Sequence, residues 1–163
     1  MATPDFVLEL REQIGHAPLW LTGVTAVVLR GDKVLLVRRV DNGAFTPVTG
    51  IVDPGEEPAD AAAREAWEEA GVRVKVERLV WVHALPPMTY PHGDQAQFLD
   101  LVFRCVWIVG EPYPADGENT DAAWFPLADL PAMPGDHAER IRLAAAATEG
   151  CETRFERSVG AED

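Results

Sequence analysis

Apolar residues at Phe6, Leu10 and Ile14 recur every four positions among charged neighbours, the spacing of a short amphipathic helix over residues 5–14. The pattern then changes. Residues 23–29 form an apolar run rich in Val and Thr, which favours a strand. Gly31-Asp32 reads as a tight turn, and residues 33–37 as its antiparallel return. Across 41–58 the period is broken by Asn42-Gly43, Pro47, Gly50, Pro54-Gly55 and Pro58, so a loop is expected there. The clearest helix follows over residues 59–70: it is rich in alanine, Pro58 suits its first turn and Gly71 its C-terminal cap. Residues 73–85 and 97–109 read as strands flanking a Pro/Gly/His loop over 86–94. A polar loop over 110–121, a short strand at 123–125 and a helix over 137–148 with Asp136 as N-cap complete the series. The charged tail from about residue 149 is expected to fray.

This order of helix, strands, helix, strands, helix predicts an α/β fold, a mixed sheet with helices on its faces. No internal repeat divides the 163 residues, a length that suits one domain over 1–163. The proline-bearing, acidic loops outside such a scaffold are where a site is expected.

The helix at 59–70 carries the chemistry. On a wheel, Glu65, Glu68 and Glu69 fall within about 100° of one another, and Ala59, Ala62, Ala63, Ala66, Trp67 and Ala70 fall opposite. One face is therefore expected to pack on the sheet while the other holds three carboxylates. Carboxylates at these spacings are neighbours and repel. A hard divalent cation between them removes the conflict, since Mg²⁺ prefers carboxylate oxygens and retained waters. A metal so held can bridge phosphate oxygens, offset their charge and activate a water. Arg64 sits next to Glu65 and four before Glu68, and its planar fork suits a bidentate pairing with Glu56 in the preceding loop. An acidic helix face alone is an ordinary solvated surface. The fixed offsets of Gly50, Glu56, Arg64 and Gly71 are what that bland reading leaves unexplained.

Charge sharpens the picture. With 27 acids against 14 bases the formal net charge is −13, which argues against a general binder of nucleic-acid backbones. An acidic protein acting on polyphosphates needs cations as mediators. The two cysteines, Cys105 and Cys151, suggest neither a disulfide framework nor a zinc site. The first residues show no basic stretch leading into an apolar run, and no run approaches a membrane span. A reducing, cytoplasmic compartment is the simplest expectation, with no membrane partner.

The segment 50–72 resembles the signature of the Nudix (MutT-like) family, G-x5-E-x7-R-E-U-x-E-E-x-G-U with U a bulky aliphatic residue. Gly50, Glu56, Arg64, Glu65, Glu68, Glu69, Gly71 and Val72 match, and only Ala66 departs, being small where U is bulky. The resemblance implies the Nudix fold, an α/β/α sandwich with a mixed sheet. It also implies an enzyme that hydrolyses a diphosphate linkage with Mg²⁺, or Mn²⁺ in its place. By the same resemblance Glu65 and Glu69 are the main metal ligands, Glu68 is a ligand or helper, and Glu56 and Arg64 are structural. The carbonyl of Thr49, where many members carry a second glycine, is a further candidate ligand. A catalytic acid from outside the box is expected at Glu118, with Asp116 and Asp121 as competitors.

Substrate selection is read less sharply. Arg38 and Arg39 end a strand near the box loop, where a phosphate could meet them, and Tyr90 offers a ring for a base or ribose. His92 is a weaker candidate base, and Trp20, Phe45 and Trp81 are candidate pocket walls, Trp81 being read first as core. The opening hairpin at 28–39 and the closing 124–131 look nearest to the ADP-ribose pyrophosphatase-like branch. A nucleoside diphosphate linked to another moiety, ADP-ribose or a related nucleotide sugar, is therefore the favoured substrate. A nucleoside triphosphate pyrophosphohydrolase is the enzymatic alternative, and a nucleotide-binding sensor without catalysis is the alternative of another class. Whether the chain pairs as a homodimer is left open.

Overall fold

The computed structural model describes residues 3–156. Its central strand, β1 (Leu19–Arg30), is buried almost continuously from Leu21 through Leu29 apart from Thr22. That run without alternation is what a strand flanked and covered on both faces needs. β1 runs parallel to β7 (Gln95–Val109) along most of its length. On its other edge it pairs first with β4 (Val48–Ile51) and then, at the Gly31-Asp32 hairpin, with β2 (Lys33–Arg39). β2 in turn pairs with β3 (Phe45–Thr46) and β8 (Asn119–Pro126), and β7 with β5 (Arg73–Ala84) and β6 (Met88–Thr89). Parallel and antiparallel pairs coexist, so the sheet is mixed, as expected.

Helix α2 (Pro58–Ala70) covers one face, where Ala61, Ala62, Ala66 and Ala70 meet Val24, Ala26, Val28, Leu35 and Val37. Helix α3 (His137–Ala146) covers the other, packing Ile141 and Ala144 on Val27, Leu29, Val34, Leu36 and Val102. Alternate β1 residues thus serve opposite layers, which gives the α/β/α sandwich. Trp81 belongs to the α3 layer as core, stacked on His83 with centroids 4.2 Å apart. Helix α1 (Asp5–Ile14) buries Val7 against Leu21, Ile51 and Ala96.

Several boundaries differ from expectation. The segment 41–58 is not all loop, because β3 and β4 lie within it; they are too short for a local period and exist through pairing with β2 and β1. The expected loops 86–94 and 110–121 hold β6 and the start of β8 for the same reason. Helix α3 ends at Ala146, and Asp136 makes no capping hydrogen bond; its carboxylate accepts from Arg140 Nε at 2.9 Å instead. The tail is ordered in part: β9 (Arg154–Phe155) adds to β5 in parallel. Residues 157–163 of the expected frayed tail lie outside the described residues.

Candidate active site beside the glutamate helix

Pro58 stands in the first turn of α2, and Gly71 closes the helix in the left-handed region at φ 68°, ψ 20°. Between these caps the acids divide unevenly. Glu65 and Glu69 are only 4% and 2% exposed, buried alongside Ala62 and Ala66, whereas Glu68 and Trp67 face outward. The expected split into an apolar face and an acidic face is therefore corrected. Gly50 accounts for part of this. A Cβ there would stand 2.2 Å from Glu65 Cγ, so only glycine on β4 lets the Glu65 side chain lie against the strand. Trp67, expected on the packing side, lies outside under the guanidinium of Arg73, 3.8 Å from its ring centroid.

Arg64 holds the acids in place. It donates to both oxygens of Glu56, from Nε at 2.8 Å and Nη2 at 2.9 Å, and from Nη2 to the Ile51 carbonyl at 3.1 Å. Its Nη1 reaches Glu65 Oε1 at 3.0 Å and Glu68 Oε2 at 3.1 Å. Glu56 also accepts from the Asp53 amide at 3.1 Å, so the loop before the helix is clamped onto it. The Arg64 guanidinium keeps the Glu56 carboxyl below the usual range. Burial pushes the Glu65 carboxyl up to about 7 despite Arg64 beside it. Burial likewise raises Glu69, and the Glu65 and Asp116 carboxylates add to it.

Among the described residues no three His, Cys, Asp or Glu side chains stand as a ready-made ion cage. The donor set nevertheless suits a hard dication. It offers carboxylate oxygens only, two of its groups are buried where ionisation is costly, and one cation already links Glu65 with Glu68. Thr49 lies one residue from the Gly50–Glu65 contact, paired across β1 with Thr25.

These residues open on a cleft of about 710 Å³. Arg64, Glu65 and Glu68 form one side, Asp53 and Pro54 a second, Asp116 and Glu118 a third, and residues 3–6 close it. Asp121 pairs with Arg38 in the sheet and does not line the cleft. The substrate candidates lie elsewhere. Arg38 donates to the Gly43 carbonyl at 3.1 Å. Arg39 is forked onto Asp41 at 3.0 and 2.9 Å, yet stands near enough to Glu69 for that carboxylate to raise its pKa further. Tyr90 is half-buried, stacked on His92 at 5.5 Å, and His92 faces Asp94 at 3.0 Å. Trp20 is exposed, and Phe45 packs edge-on against Phe125.

Three contributors escaped the sequence reading. Asn119 is buried with Nδ2 3.5 Å from Glu69 Oε2, and Asp53 and the first turn of α1 line the cleft. The Asn119 contact spans 50 positions, beyond any local signal.

A family model described as NUDIX domain matches residues 20–146. The chain is 36% identical over 110 residues, 66% of its length, to a protein of Chromobacterium violaceum named NAD-capped RNA hydrolase NudC, of which the match covers 38%. It is 37% identical over 109 residues, again 66% of its length, to a MutT-like protein of Streptomyces ambofaciens, covering 65% of it. The chain thus spans about two fifths of the length of the NudC relatives it matches. Among solved structures, an ADP-ribose pyrophosphatase from Streptococcus suis superposes with a TM-score of 0.65 at 28% identity, over 83% of this chain and 98% of that one. No described helix is long and apolar enough to cross a membrane.

Proposed function

The chain belongs to the Nudix family, and on that premise we propose that it is a divalent-metal-dependent pyrophosphohydrolase, one Nudix domain with its box at 50–72. The observation that carries this reading is the burial of Glu65 and Glu69 on one helix, with Glu65 and Glu68 lining one cleft and Arg64 and Glu56 locking the loop that meets them. Glu65, Glu68 and Glu69, with the Thr49 carbonyl, are the groups that would hold Mg²⁺ or Mn²⁺. Such an ion supplies charge neutralisation at the diphosphate and a more acidic water. The chain's own part is to fix the ligand carboxylates, enclose the substrate and accept a proton, for which Glu118 is our candidate and Asp116 its competitor. Both line the cleft.

The favoured substrate is a nucleoside diphosphate linked to a second moiety, ADP-ribose or a related nucleotide sugar. The likeness to the S. suis ADP-ribose pyrophosphatase supports it. The NudC relatives favour a second reading, in which the diphosphate is that of an NAD-type dinucleotide. In either case water splits the anhydride into two monophosphates. The two free thiols, Cys105 and Cys151, support a cytoplasmic setting.

A panel of ADP-ribose, NAD, nucleotide sugars and nucleoside triphosphates, with Mg²⁺ or Mn²⁺ and products identified by mass, tests the proposal. Two monophosphate products from a linked diphosphate are expected. Release of pyrophosphate from triphosphates alone would overturn the substrate class, and no turnover with either ion would overturn the enzyme.

A further inference from the structure

The α3 layer holds a buried polar network on the face of the sheet opposite the glutamate helix. Asp100 on β7 and Arg140 on α3 pair at 3.0 Å, each side chain only 4% exposed. Thr25 of β1, fully buried, joins them: its hydroxyl donates to Asp100 Oδ2 at 2.9 Å and accepts from Arg140 Nη1 at 2.7 Å. The rest of the guanidinium meets Asp136, with Nε at 2.9 Å and Nη2 at 2.8 Å from Oδ1, and Asp136 Oδ2 faces His83 Nε2 at 3.3 Å. The surrounding layer is apolar, made by Val27, Leu29, Val102 and Ile141. Taking two charges out of water there is costly, and an apolar pair of similar volume often packs at least as stably. Stability alone therefore does not account for the network, whereas a positional role does.

The register of the sheet identifies what is positioned. Thr25 stands opposite Thr49, and Val24 opposite Gly50, in the antiparallel β1–β4 ladder. β4 is four residues long and, among the described strands, pairs with β1 alone. The segment bearing the Thr49 carbonyl, and the Gly50 gap that admits Glu65, is thus located by β1 at residues 24 and 25. Gly23 tightens the link. A Cβ there would stand 3.4 Å from Asp100 Oδ1 and 3.6 Å from the Gly50 carbonyl oxygen, so the missing side chain lets the carboxylate and the start of the box approach one another.

We propose that Arg140, Asp100 and Thr25 are positioning residues for the metal site: they fix β1 between β7 and α3, and through the β1–β4 ladder they set where the Thr49 carbonyl and Gly50 stand relative to Glu65. The proposal deepens the hydrolase reading above and rests on it. None of the three lines the cleft, so their effect is carried by the backbone.

The test measures the tightest Mn²⁺ site of the full chain, by the electron paramagnetic resonance signal of free Mn²⁺, beside hydrolysis of a linked diphosphate over a range of Mg²⁺. Thr25→Val keeps the shape and leaves Arg140 paired to Asp100, but removes the hydroxyl that ties β1 to them. It should weaken Mn²⁺ binding about tenfold, the scale on which outer partners of a metal site act. The Mg²⁺ needed for half-maximal rate should rise by the same factor, with KM for the diphosphate at saturating Mg²⁺ unchanged. Thr25→Ser keeps the hydroxyl and should bind Mn²⁺ as the wild type does. The double variant Asp100→Leu/Arg140→Met should match or exceed the wild type in urea midpoint, yet share the loss of Mn²⁺ affinity. Wild-type Mn²⁺ affinity in Thr25→Val or in the folded double variant would overturn the proposal, and so would an equal loss in Thr25→Ser. A wild-type chain that binds Mn²⁺ but hydrolyses no linked diphosphate would overturn the hydrolase reading instead, with the binding comparison still standing.

Discussion

Replacing Glu65 with Gln should stabilise the metal-free protein at alkaline pH while removing one of the proposed metal ligands. Burial lifts the Glu65 carboxyl from its ordinary 4.5 to about 7. Between those values the folded chain keeps a proton that the unfolded chain has released, so stability falls as pH rises through the window, and the full cost is present above it. A shift of that size corresponds to about 3 kcal/mol. His137 acts in the opposite sense. Its burial lowers the imidazole from 6.5 to about 4, so stability falls as pH drops through that range. Glu69 shares the sign of Glu65. The wild-type curve therefore mixes opposing slopes, and the informative quantity is the difference between wild type and Glu65→Gln. Gln keeps the shape and can still accept from Arg64 Nη1, so that difference isolates the charge. Urea unfolding in chelator at pH 8 should place the variant's midpoint higher by about 1–2 M, given ordinary urea slopes. At pH 4.5 the two midpoints should coincide. A variant less stable at pH 8, or one displaced equally at both pH values, would refute the argument that a buried charge is being relieved. Added Mg²⁺ should then stabilise the wild type more than the variant.

Glu69→Gln should lower turnover about a hundredfold or more with the fold intact, as loss of a metal ligand does; steady-state rates at saturating Mg²⁺ beside an unchanged circular dichroism spectrum check it. Gly50→Ala should displace Glu65, because the new Cβ would stand 2.2 Å from its Cγ and 2.3 Å from its Cδ. Its expected signature is lost activity and weakened Mg²⁺-induced stabilisation, read by rate and thermal shift together. Glu118→Gln should slow chemistry at unchanged stability, and a wild-type rate would move the proton-acceptor role to Asp116.

What the sequence makes legible is what local chemistry writes. Pro58, the alanines and Gly71 bound the box helix to within one residue, because a cap and a first-turn proline act on their own neighbours. The Glu56–Arg64 fork was readable from an offset and a shape match, although its two residues belong to a loop and a helix. The burial of Glu65 was not. A helical wheel knows only angles, and it assigns acids to water by default; the space that admits Glu65 is made by a missing side chain on β4. That strand is itself a short piece whose order comes from pairing with β1. Asn119 and the first turn of α1 escaped for the same reason, since nothing near them in the chain announces the glutamates they approach. Arg39 was noted for its charge, and only the fold shows that Asp41 already occupies its fork.

The electrostatics of the cleft follow from counting donors on one residue. A guanidinium has five N–H groups. Arg64 makes five hydrogen bonds: Nε to Glu56, Nη1 to Glu65 and Glu68, and Nη2 to Glu56 and the Ile51 carbonyl. No N–H is left for a phosphate. Arg64, the one basic side chain lining the cleft among the described residues, is thus committed to holding the acids, and it cannot also hold the substrate without releasing them. Among the described residues a diphosphate entering this space meets six carboxylate side chains, so divalent ions are expected to carry its compensating charge. On this account, the acidity of the cleft is what ties diphosphate binding to divalent ions. Affinity for a linked diphosphate should accordingly rise steeply with Mg²⁺ and vanish in chelator.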